Sequence, residues 1–272
     1  MLFSKGSKNA ADGSFVHCAN CKKLLFAEEF AENYWVCTHC QHHHRITAQQ
    51  RIDITFDPGS FDELDADLSS TDFLKFPDYA EKLESANSRF GLNDGMVAGK
   101  ATIDGMPVFL AISDFRFMGG SMGSVAGEKV TRTLERAANE GVPALIFCAS
   151  GGARMQEGLT SLMQMAKTTA AAQRCAEQGV PYIVVYTDPT MAGVLASYAS
   201  VADIAIAEPK ALIGFAGARV SKQAGVGKVP DGFQTSEYLL EHGMLDKVVP
   251  RSEIRPTLTR MLRVLTGGAV AR

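Results

Sequence analysis

The sequence has no long apolar run. Its longest stretch without a charged residue, Pro189 to Ala202, is too short to cross a bilayer as a helix, and small polar residues interrupt it. The opening MLFSKGSKNAADGSF contains no apolar core of a secretory signal. We therefore expect a soluble, cytoplasmic chain with no membrane partner.

The chain also lacks an excess of charge of one sign. It carries 27 Lys and Arg against 30 Asp and Glu, a formal net charge of −3. Nothing in that balance favours nucleic acid or an anionic membrane as the main partner. With 272 residues, 46% of them hydrophobic, the composition is that of a globular protein long enough for more than one domain.

Two nucleotide-binding fingerprints are missing as well. No Gly-x-Gly-x-x-Gly opens a helix after a strand, so the dinucleotide-binding signature is absent. The stretch GVGK at 225–228 resembles the end of a phosphate loop. However, Lys222 occupies the place of the required first glycine and Val229 follows the lysine, so that motif fails.

Cysteine is scarce except near the amino terminus, where it forms a metal-binding pattern. Fifteen residues separate Cys18-x-x-Cys21 from Cys37-x-x-Cys40. Two such pairs complete a tetrahedral sulfur cage, so we predict one structural zinc ion, with a short hairpin between the pairs. Paired disulfides are disfavoured in a chain without an export signal.

The other residues of this region and the other cysteines are expected to play lesser parts. Four thiolates leave no ligand position for the histidines at 17, 39 and 42–44, which we expect to be solvated or to lie beside the ligands. Lys22, Lys23 and Arg45 form a modest basic face that only weakly suggests nucleic-acid binding. Cys148 and Cys175 are predicted to be small buried hydrophobes.

The pattern along the chain predicts four segments: a flexible tail over 1–14, the four-cysteine ribbon over 15–46, a connecting helical segment over 47–90 and a main domain over 91–272. In the third segment, FPDYAEKLESANSRF predicts a helix that ends at Gly91.

The main domain alternates strands and helices, which favours an α/β fold. VAGKATIDGMPVFLAIS predicts two strands joined at Asp104–Gly105, and a helix is predicted to end at Gly141. VPALIFCAS predicts a strand, and Met155 to Gln178 a long helix. One face of that helix would carry Met155, Leu159, Leu162, Ala166 and Gln173. Gly-Val-Pro occurs at 141 and again at 179, 38 residues later, which suggests a stacked repeat.

Two glycine pairs lie between strands and helices, Gly119–Gly120 and Gly151–Gly152. They indicate either tight packing at a turn or backbone N–H groups that must approach an anion. Residues 119–123, GGSMG, also match a nucleophile elbow, with His242 and Asp203 or Asp231 to complete a triad. A charged segment precedes Ser121 where an apolar strand is usual, which disfavours a hydrolase.

The motifs FMGGSMGSVAGEK, SGGARMQEG, LMQMAKT, TDPTMAG and EPKALIGFAG follow the four-cysteine ribbon in this order. Together they resemble the β subunits of bacterial acetyl-CoA carboxylase carboxyltransferases over nearly the whole chain. The resemblance implies a crotonase-like fold, a spiral of repeated ββα units behind a small zinc ribbon. The sequence departs from the family pattern at three positions: Ala192, where a second glycine is usual, Leu195, where serine is common, and Ala218, where proline is usual.

The resemblance implies a transferase that moves a carboxyl group from carboxybiotin on a carrier protein to acetyl-CoA, giving malonyl-CoA for fatty acid synthesis. Backbone N–H groups would hold the enolate of the CoA thioester. Gly151 and Gly152, taken as first-turn residues of the long helix, are the first candidates, and Gly119 and Gly120 the second. Arg154 is expected to be solvated or to meet CoA phosphates, and no side-chain base is expected because biotin takes the methyl proton.

The implied partners are a separate carboxyltransferase α subunit in an α2β2 assembly, the biotin carboxyl carrier protein and biotin carboxylase. One alternative is a zinc-ribbon scaffold that binds RNA or protein and has an inactive crotonase-like body. Salt-dependent RNA affinity without turnover would favour that alternative.

Overall fold

The computed structural model of the protein describes residues 14–216 and 229–267. The failed phosphate-loop motif at 225–228 and the departure at Ala218 lie outside those ranges, as does nearly all of the tail over 1–14. The chain forms two compact units, Met1–Ile46 and Thr47–Arg272. No helix within the described ranges is long and apolar enough to cross a membrane.

The first unit is a small ribbon built around the cysteines. Its elements are β1 (Phe15–His17), β2 (Leu24–Phe26) and α1 (Ala27–Glu32). The antiparallel pair of β1 and β2 encloses the first cysteine pair, and α1 begins directly after β2. The predicted hairpin between the two cysteine pairs is therefore wrong: the segment there is a strand followed by a helical turn, and Phe30 of that helix supplies part of the small core.

The second unit is a layered α/β structure, as predicted. Its elements before the first glycine pair are α2 (Ala48–Thr55), β3 (Asp62–Leu64), α3 (Tyr79–Phe90), β4 (Met96–Ile103) and β5 (Met106–Ser113). Those that follow are α4 (Ser124–Glu140), β6 (Ala144–Ser150), α5 (Gly158–Glu177), β7 (Tyr182–Met191), α6 (Ala192–Val194), a π-helical turn (Leu195–Ala199), β8 (Ile204–Ala207), β9 (Ile213–Gly214), α7 (Ser236–Glu241), β10 (Lys247–Val248) and α8 (Arg251–Leu265).

The main sheet has the strand order β10-β8-β7-β6-β5-β4-β3. The strands β3, β4 and β5 pair antiparallel, and the predicted hairpin at Asp104–Gly105 is confirmed. From β5 to β10 all pairs are parallel. In the β6–β7 pair, Ala144 lies opposite Tyr182, so the 38-residue spacing of the two Gly-Val-Pro motifs equals the register of neighbouring strands.

Alternate residues of the central strands enter two different cores, because successive side chains of a strand point to opposite faces. Ile146 of β6 and Val184 of β7 face α4 and α5, whereas Phe147 and Val185 face α2 and α8. Near-continuous apolar strands are the expected sequence of a sheet covered on both sides. The helix predicted to end at Gly91 is confirmed, since Gly91 adopts the left-handed C-cap conformation.

At and just after the carboxyl ends of the central strands the chain makes a second set of short parallel pairings. Met122 pairs with Ala153, Ser150 with Thr190, and Thr190 with Ile213. Each pairing joins equivalent positions of consecutive strand-loop-helix units, so the loops between strands and helices lie side by side. This edge of the sheet is where both glycine pairs are found.

Candidate active site and cysteine cluster

The four predicted metal ligands come together in the ribbon. The Sγ atoms of Cys18, Cys21, Cys37 and Cys40 all lie within 4.8 Å of one another. The Cys18–Cys40 and Cys21–Cys37 separations are 3.7 and 3.8 Å, close to the edge of a tetrahedron with metal–sulfur bonds of about 2.3 Å. This cluster could hold a metal ion.

Groups beside the cluster satisfy the sulfur atoms. The Nε2 atom of His44 lies 3.4 Å from the Sγ of Cys18, and the side-chain amide of Asn20 donates to Cys40 over 3.5 Å. His44 therefore lies beside the cysteine cluster, one of the two places predicted for the histidines of this region. Cys148 and Cys175 are fully buried in the other unit, as predicted, and burial raises the pKa of the Cys175 thiol to about 11.

In the second unit the two glycine pairs, Gly119–Gly120 and Gly151–Gly152, lie side by side and form one continuous backbone surface, which we call the glycine wall. The first glycine loop (residues 117–123) lies against the second glycine loop (residues 151–157). The N–H of Gly151 donates to the carbonyl of Gly119 over 2.9 Å, and that of Met122 to the carbonyl of Gly152 over 2.8 Å. Gly120 leaves no room for a side chain, since a Cβ there would lie 2.0 Å from the carbonyl oxygen of Ala149.

The helical context predicted for Gly151 and Gly152 is wrong. The long helix α5 begins at Gly158, after a 3-10 turn over Met155–Glu157, so the two glycines are not first-turn residues. Their N–H groups have partners: Gly151 donates to Gly119 and Gly152 donates to the Oγ of Ser150 over 3.0 Å. The N–H of Gly120 donates to Phe117 over 2.9 Å. Of the four glycines, only Gly119 has an N–H with no acceptor among the residues that the structure describes.

A third loop meets the wall at Ala192. A Cβ on Gly152 would lie 2.8 Å from the Cβ of Ala192, and Gly152 has a φ of +119°, a region open only to glycine. Ala192 itself has a φ of 49°, although it carries a side chain. This position, where the resemblance leads us to expect a glycine, therefore adopts the conformation that a glycine would favour.

Behind the wall lies a fully buried charged cluster around Arg154. The Nη1 atom of Arg154 lies 2.8 Å from a carboxylate oxygen of Asp94 and 3.3 Å from one of Glu157, and all three side chains have 0% exposure. Tyr79 donates its hydroxyl hydrogen to Glu157 over 2.6 Å. The expectation that Arg154 is solvated or meets CoA phosphates is thus wrong, because buried carboxylates and hydroxyls surround the guanidinium.

Two pKa shifts describe this cluster. Burial raises the pKa of Tyr79 to about 12, so its hydroxyl keeps its proton at neutral pH. Burial by itself would lower the pKa of Arg154, but the negative charge of Asp94 outweighs it and the pKa lies above its usual value. Arg154 therefore stays protonated and Tyr79 stays neutral inside a buried cluster.

The structure gives the members of the possible hydrolase triad other partners. The Oγ of Ser121 accepts a hydrogen bond from the Nε of Arg154 at 3.1 Å. His242 stacks on Tyr238 with 3.9 Å between ring centroids, and Asp203 accepts from the backbone of Tyr182. An elbow serine needs its histidine within hydrogen-bond reach. The disfavoured hydrolase interpretation gains no support.

The 3-10 turn of the second glycine loop and the first turns of α5 together present an apolar face to solvent. Met155 is 77% exposed and Leu159 70% exposed, and Leu162 and Met163 follow on the same side. The exposed Leu74 lies beside them, since a Cβ on Gly158 would meet its side chain at 3.2 Å. The periodicity predicted this face, and the structure shows that no other part of the described chain covers it.

Residues 41–234, more than two thirds of the chain, match the carboxyl transferase domain family. The chain belongs to the carboxyl transferase family. Similar proteins of this family include the acetyl-coenzyme A carboxylase carboxyl transferase subunit beta of Prochlorococcus marinus strain MIT 9215, which is 50% identical over 93% of this chain and 87% of its own length. The protein of the same name from Desulfitobacterium hafniense strain Y51 is 52% identical over 97% of this chain and 86% of its own length.

Solved carboxyl transferase structures share the fold. A transcarboxylase 12S structure with hydrolysed methylmalonyl-coenzyme A bound has a TM-score of 0.70 at 29% identity, covering 87% of this chain and 42% of that one. A Pseudomonas malonate decarboxylase heterodimer chain has a TM-score of 0.62 at 27% identity, covering 84% and 89%. These likenesses, with the mixed sheet, confirm the crotonase-like α/β fold.

Proposed function

We propose that this carboxyl transferase family member is the β chain of an acetyl-CoA carboxylase carboxyltransferase, working in the cytoplasm. It would transfer a carboxyl group from carboxybiotin to acetyl-CoA, giving malonyl-CoA. The observation that carries the proposal is the continuous glycine wall at the carboxyl edge of the sheet, in a chain half identical to proteins of that name. Small residues from three loops meet there and leave backbone as the surface that a thioester would touch.

The wall suits the stabilisation of an enolate. Removal of a methyl proton from acetyl-CoA places negative charge on the thioester oxygen, and a fixed N–H donor is worth roughly 3–4 kcal/mol to such a charge. Gly119 offers an N–H without an acceptor in the described chain, and Gly151, exposed beside it, offers a second if it exchanges Gly119 for substrate. Gly120 and Gly152 keep side chains out of the wall.

Carboxybiotin is a substrate brought by a carrier protein, and once its carboxyl group has left it would supply the base for the methyl proton. This chain's part is to hold the acyl group and to exclude water. Arg154 lies behind the wall, where it is protonated and paired with Asp94 and Glu157, so it offers no proton acceptor to the reaction.

Gly151→Ala tests the wall directly. Gly151 has ordinary backbone angles, and a Cβ there meets only the carbonyl of Gly119, at 3.6 Å, so the fold should tolerate the methyl group. The methyl would displace a substrate lying on the wall, and we expect kcat/KM to fall by about 10- to 100-fold. The measurement is carboxyl transfer from malonyl-CoA to biocytin by the chain copurified with its α partner.

The control is Gly141→Ala, which lies at the left-handed C-cap of α4 with open space around it. That change should lower stability by about 1 kcal/mol and leave kcat/KM unchanged. If the complex of the Gly151→Ala variant with the α partner has wild-type kinetics, the glycine wall is not part of the active site. A well-formed wild-type pair without turnover would refute the carboxyltransferase proposal, and RNA affinity in its place would support the scaffold alternative.

We propose that the cysteine cluster holds one structural zinc ion per chain, because four thiolates in a tetrahedral arrangement favour zinc. In the described part of the ribbon the hydrophobic cluster contains only four buried residues, two of them cysteines, so metal binding should drive its folding. Metal analysis should find one zinc per chain, lost in Cys37→Ser together with hydrogen-exchange protection of residues 14–46. Cys175→Ser, at a buried cysteine of the other unit, should keep the metal. Full protection in metal-free protein would contradict a structural role.

We further propose that the partner is a carboxyltransferase α chain in an α2β2 assembly, served by the carrier protein and by biotin carboxylase. The exposed apolar face of α5 supports this proposal, since it adjoins the glycine wall and monomeric proteins rarely expose such a patch. A partner docked there would close the site.

A further inference from the structure

Arg154 connects the two glycine loops through the main chain and the side chain together. Its backbone N–H donates to the carbonyl of Met122 over 2.9 Å, which completes the pairing between the loops. Its guanidinium then reaches Ser121, where Nη2 donates to the carbonyl oxygen over 2.7 Å and Nε to the hydroxyl over 3.1 Å. One side chain thus fixes the residue that directly follows Gly119–Gly120.

The remaining nitrogen of the guanidinium is anchored in the body of the unit. Nη1 donates to Asp94 and to the hydroxyl of Ser70, each over 2.8 Å. Asp94 precedes β4 and Ser70 lies in the segment before α3, so the anchor joins parts of the chain remote in sequence. A flat, five-donor guanidinium makes these contacts in fixed directions, which a lysine ammonium on a flexible stem cannot reproduce.

Glu157 connects the charged cluster to the helix that follows the first glycine loop. One of its oxygens accepts from the N–H of Ser124 over 2.6 Å, at the amino terminus of α4, where no side chain of that helix acts as a cap. The other oxygen accepts from Tyr79. A Cβ on Gly123 would lie 2.4 Å from Glu157, so this pair packs directly on the loop backbone.

We propose that Arg154, with Glu157 and Tyr79, is a positioning device that holds the first glycine loop against the second, so that the Gly119 N–H stays aimed at the thioester oxygen. This inference rests on the proposed function for its catalytic consequence, but the loop restraint itself is a property of the chain alone. Arg154 is fully buried, so it acts through the backbone of the loop that it restrains.

Arg154→Lys tests the device, and Arg51→Lys is its matched control. Arg51 is also buried, with 3% of its surface exposed, and it pairs with Glu208 over 2.6 Å, with no hydrogen bond to either glycine loop among the described residues. We expect Arg154→Lys to lower kcat by about 10- to 100-fold with KM changed by less than about 3-fold, since a misplaced donor weakens the transition state more than ground-state binding. Arg51→Lys should lower thermal stability comparably and leave kcat unchanged.

Hydrogen–deuterium exchange separates positioning from stability and needs no turnover. Amides of residues 119–123 should exchange about 10-fold faster or more in Arg154→Lys and at the wild-type rate in Arg51→Lys. If Arg154→Lys fails to fold, Tyr79→Phe, which removes one hydroxyl, replaces it as the test variant. It should raise the exchange rate of the same amides by a smaller factor. Equal loop exchange in both arginine variants would overturn the inference. If the wild-type pair lacks carboxyl transfer but the loop responds as expected, the proposed function fails and the restraint stands.

Discussion

Ala192 carries a side chain in a backbone conformation that favours glycine. Its φ of 49° lies in the left-handed region, which costs an L-residue about 1–2 kcal/mol. We predict that Ala192→Gly raises the free energy of unfolding by about 0.5–1 kcal/mol, after subtraction of the greater chain entropy of glycine. Urea denaturation of both proteins measures the difference.

The same chemical change elsewhere should have the opposite sign. Ala170 is exposed within the helix α5, where glycine is about 1 kcal/mol less favourable than alanine. Ala170→Gly should therefore lower the free energy of unfolding. A loss of stability in both variants would show that the backbone at Ala192 relaxes and stores no strain.

At the residue scale the sequence predicted the cysteine cluster but not the charged cluster behind the glycine wall. The cysteine pairs can be recognised from local spacing, because each Cys-x-x-Cys motif spans only four residues. Arg154 was predicted to be exposed because an isolated arginine usually is. Its partner Asp94 lies 60 residues earlier, and nothing in either local stretch announces the pairing. The only local signal was Glu157, three residues after Arg154, in a loop rich in small residues.

At the scale of elements, Asp65 ties the edge strand of the sheet to α4. It follows β3 and accepts from Arg132 over 2.6 Å and from Arg136 of the same helix. The hydrogen bond from Arg136 holds the pKa of Asp65 below its usual value, against the opposing effect of burial. We predict that Asp65→Asn lowers the free energy of unfolding at pH 7 by about 1–2 kcal/mol.

The penalty should depend on pH in a defined direction. Because the pKa is lower in the fold than in the unfolded chain, the carboxylate stabilises the fold above about pH 4, and this contribution is lost as pH falls through the lowered value. The gap between wild type and Asp65→Asn in urea unfolding should therefore shrink from pH 7 to about pH 3. Asp62→Asn, exposed in β3, serves as the control and should show no gap. A gap of constant size would assign the loss to packing.

Element boundaries near the site were the hardest to predict. The apolar period of α5 extends back to Met155, so the pattern placed the helix start there. The structure begins it at Gly158, whose φ of 53° and ψ of −132° interrupt the helix after a 3-10 turn. Apolar periodicity indicates which side chains share a face, but it does not indicate where a single glycine interrupts the helix. The glycine pair was consequently assigned to the wrong local structure.

At the scale of the whole molecule, the Gly-Val-Pro repeat could be predicted from the sequence because its spacing equals the register of β6 and β7. A motif that recurs after 38 residues places Ala144 opposite Tyr182, so sequence spacing and strand pairing are the same quantity. The meeting of three loops in one wall was not visible, because it depends on short pairings such as Met122 with Ala153 that span only one residue. The exposure of the α5 face was also beyond prediction, since a core face and an interface face share one pattern.

That exposed face supports a prediction about assembly. Leu159→Asp places a charge at the centre of the patch formed with Met155, Leu162 and Met163, where the proposed α chain would bury it. Loss of one buried leucine corresponds to about 1.5–3 kcal/mol, so we expect affinity for the α chain to fall by about 10- to 100-fold or more, with the melting temperature of the isolated chain unchanged. Isothermal titration of the α chain into each variant provides the measurement.

Val264→Asp is the control for this experiment, because Val264 is 82% exposed on α8, which packs on the opposite face of the sheet. It makes the same kind of change on a surface that the proposal leaves free, so its affinity for the α chain should equal that of the wild type. If Val264→Asp weakened the complex and Leu159→Asp did not, the partner would dock on the α8 side. The glycine wall would then remain open in the assembly, and water exclusion at the enolate would need another source.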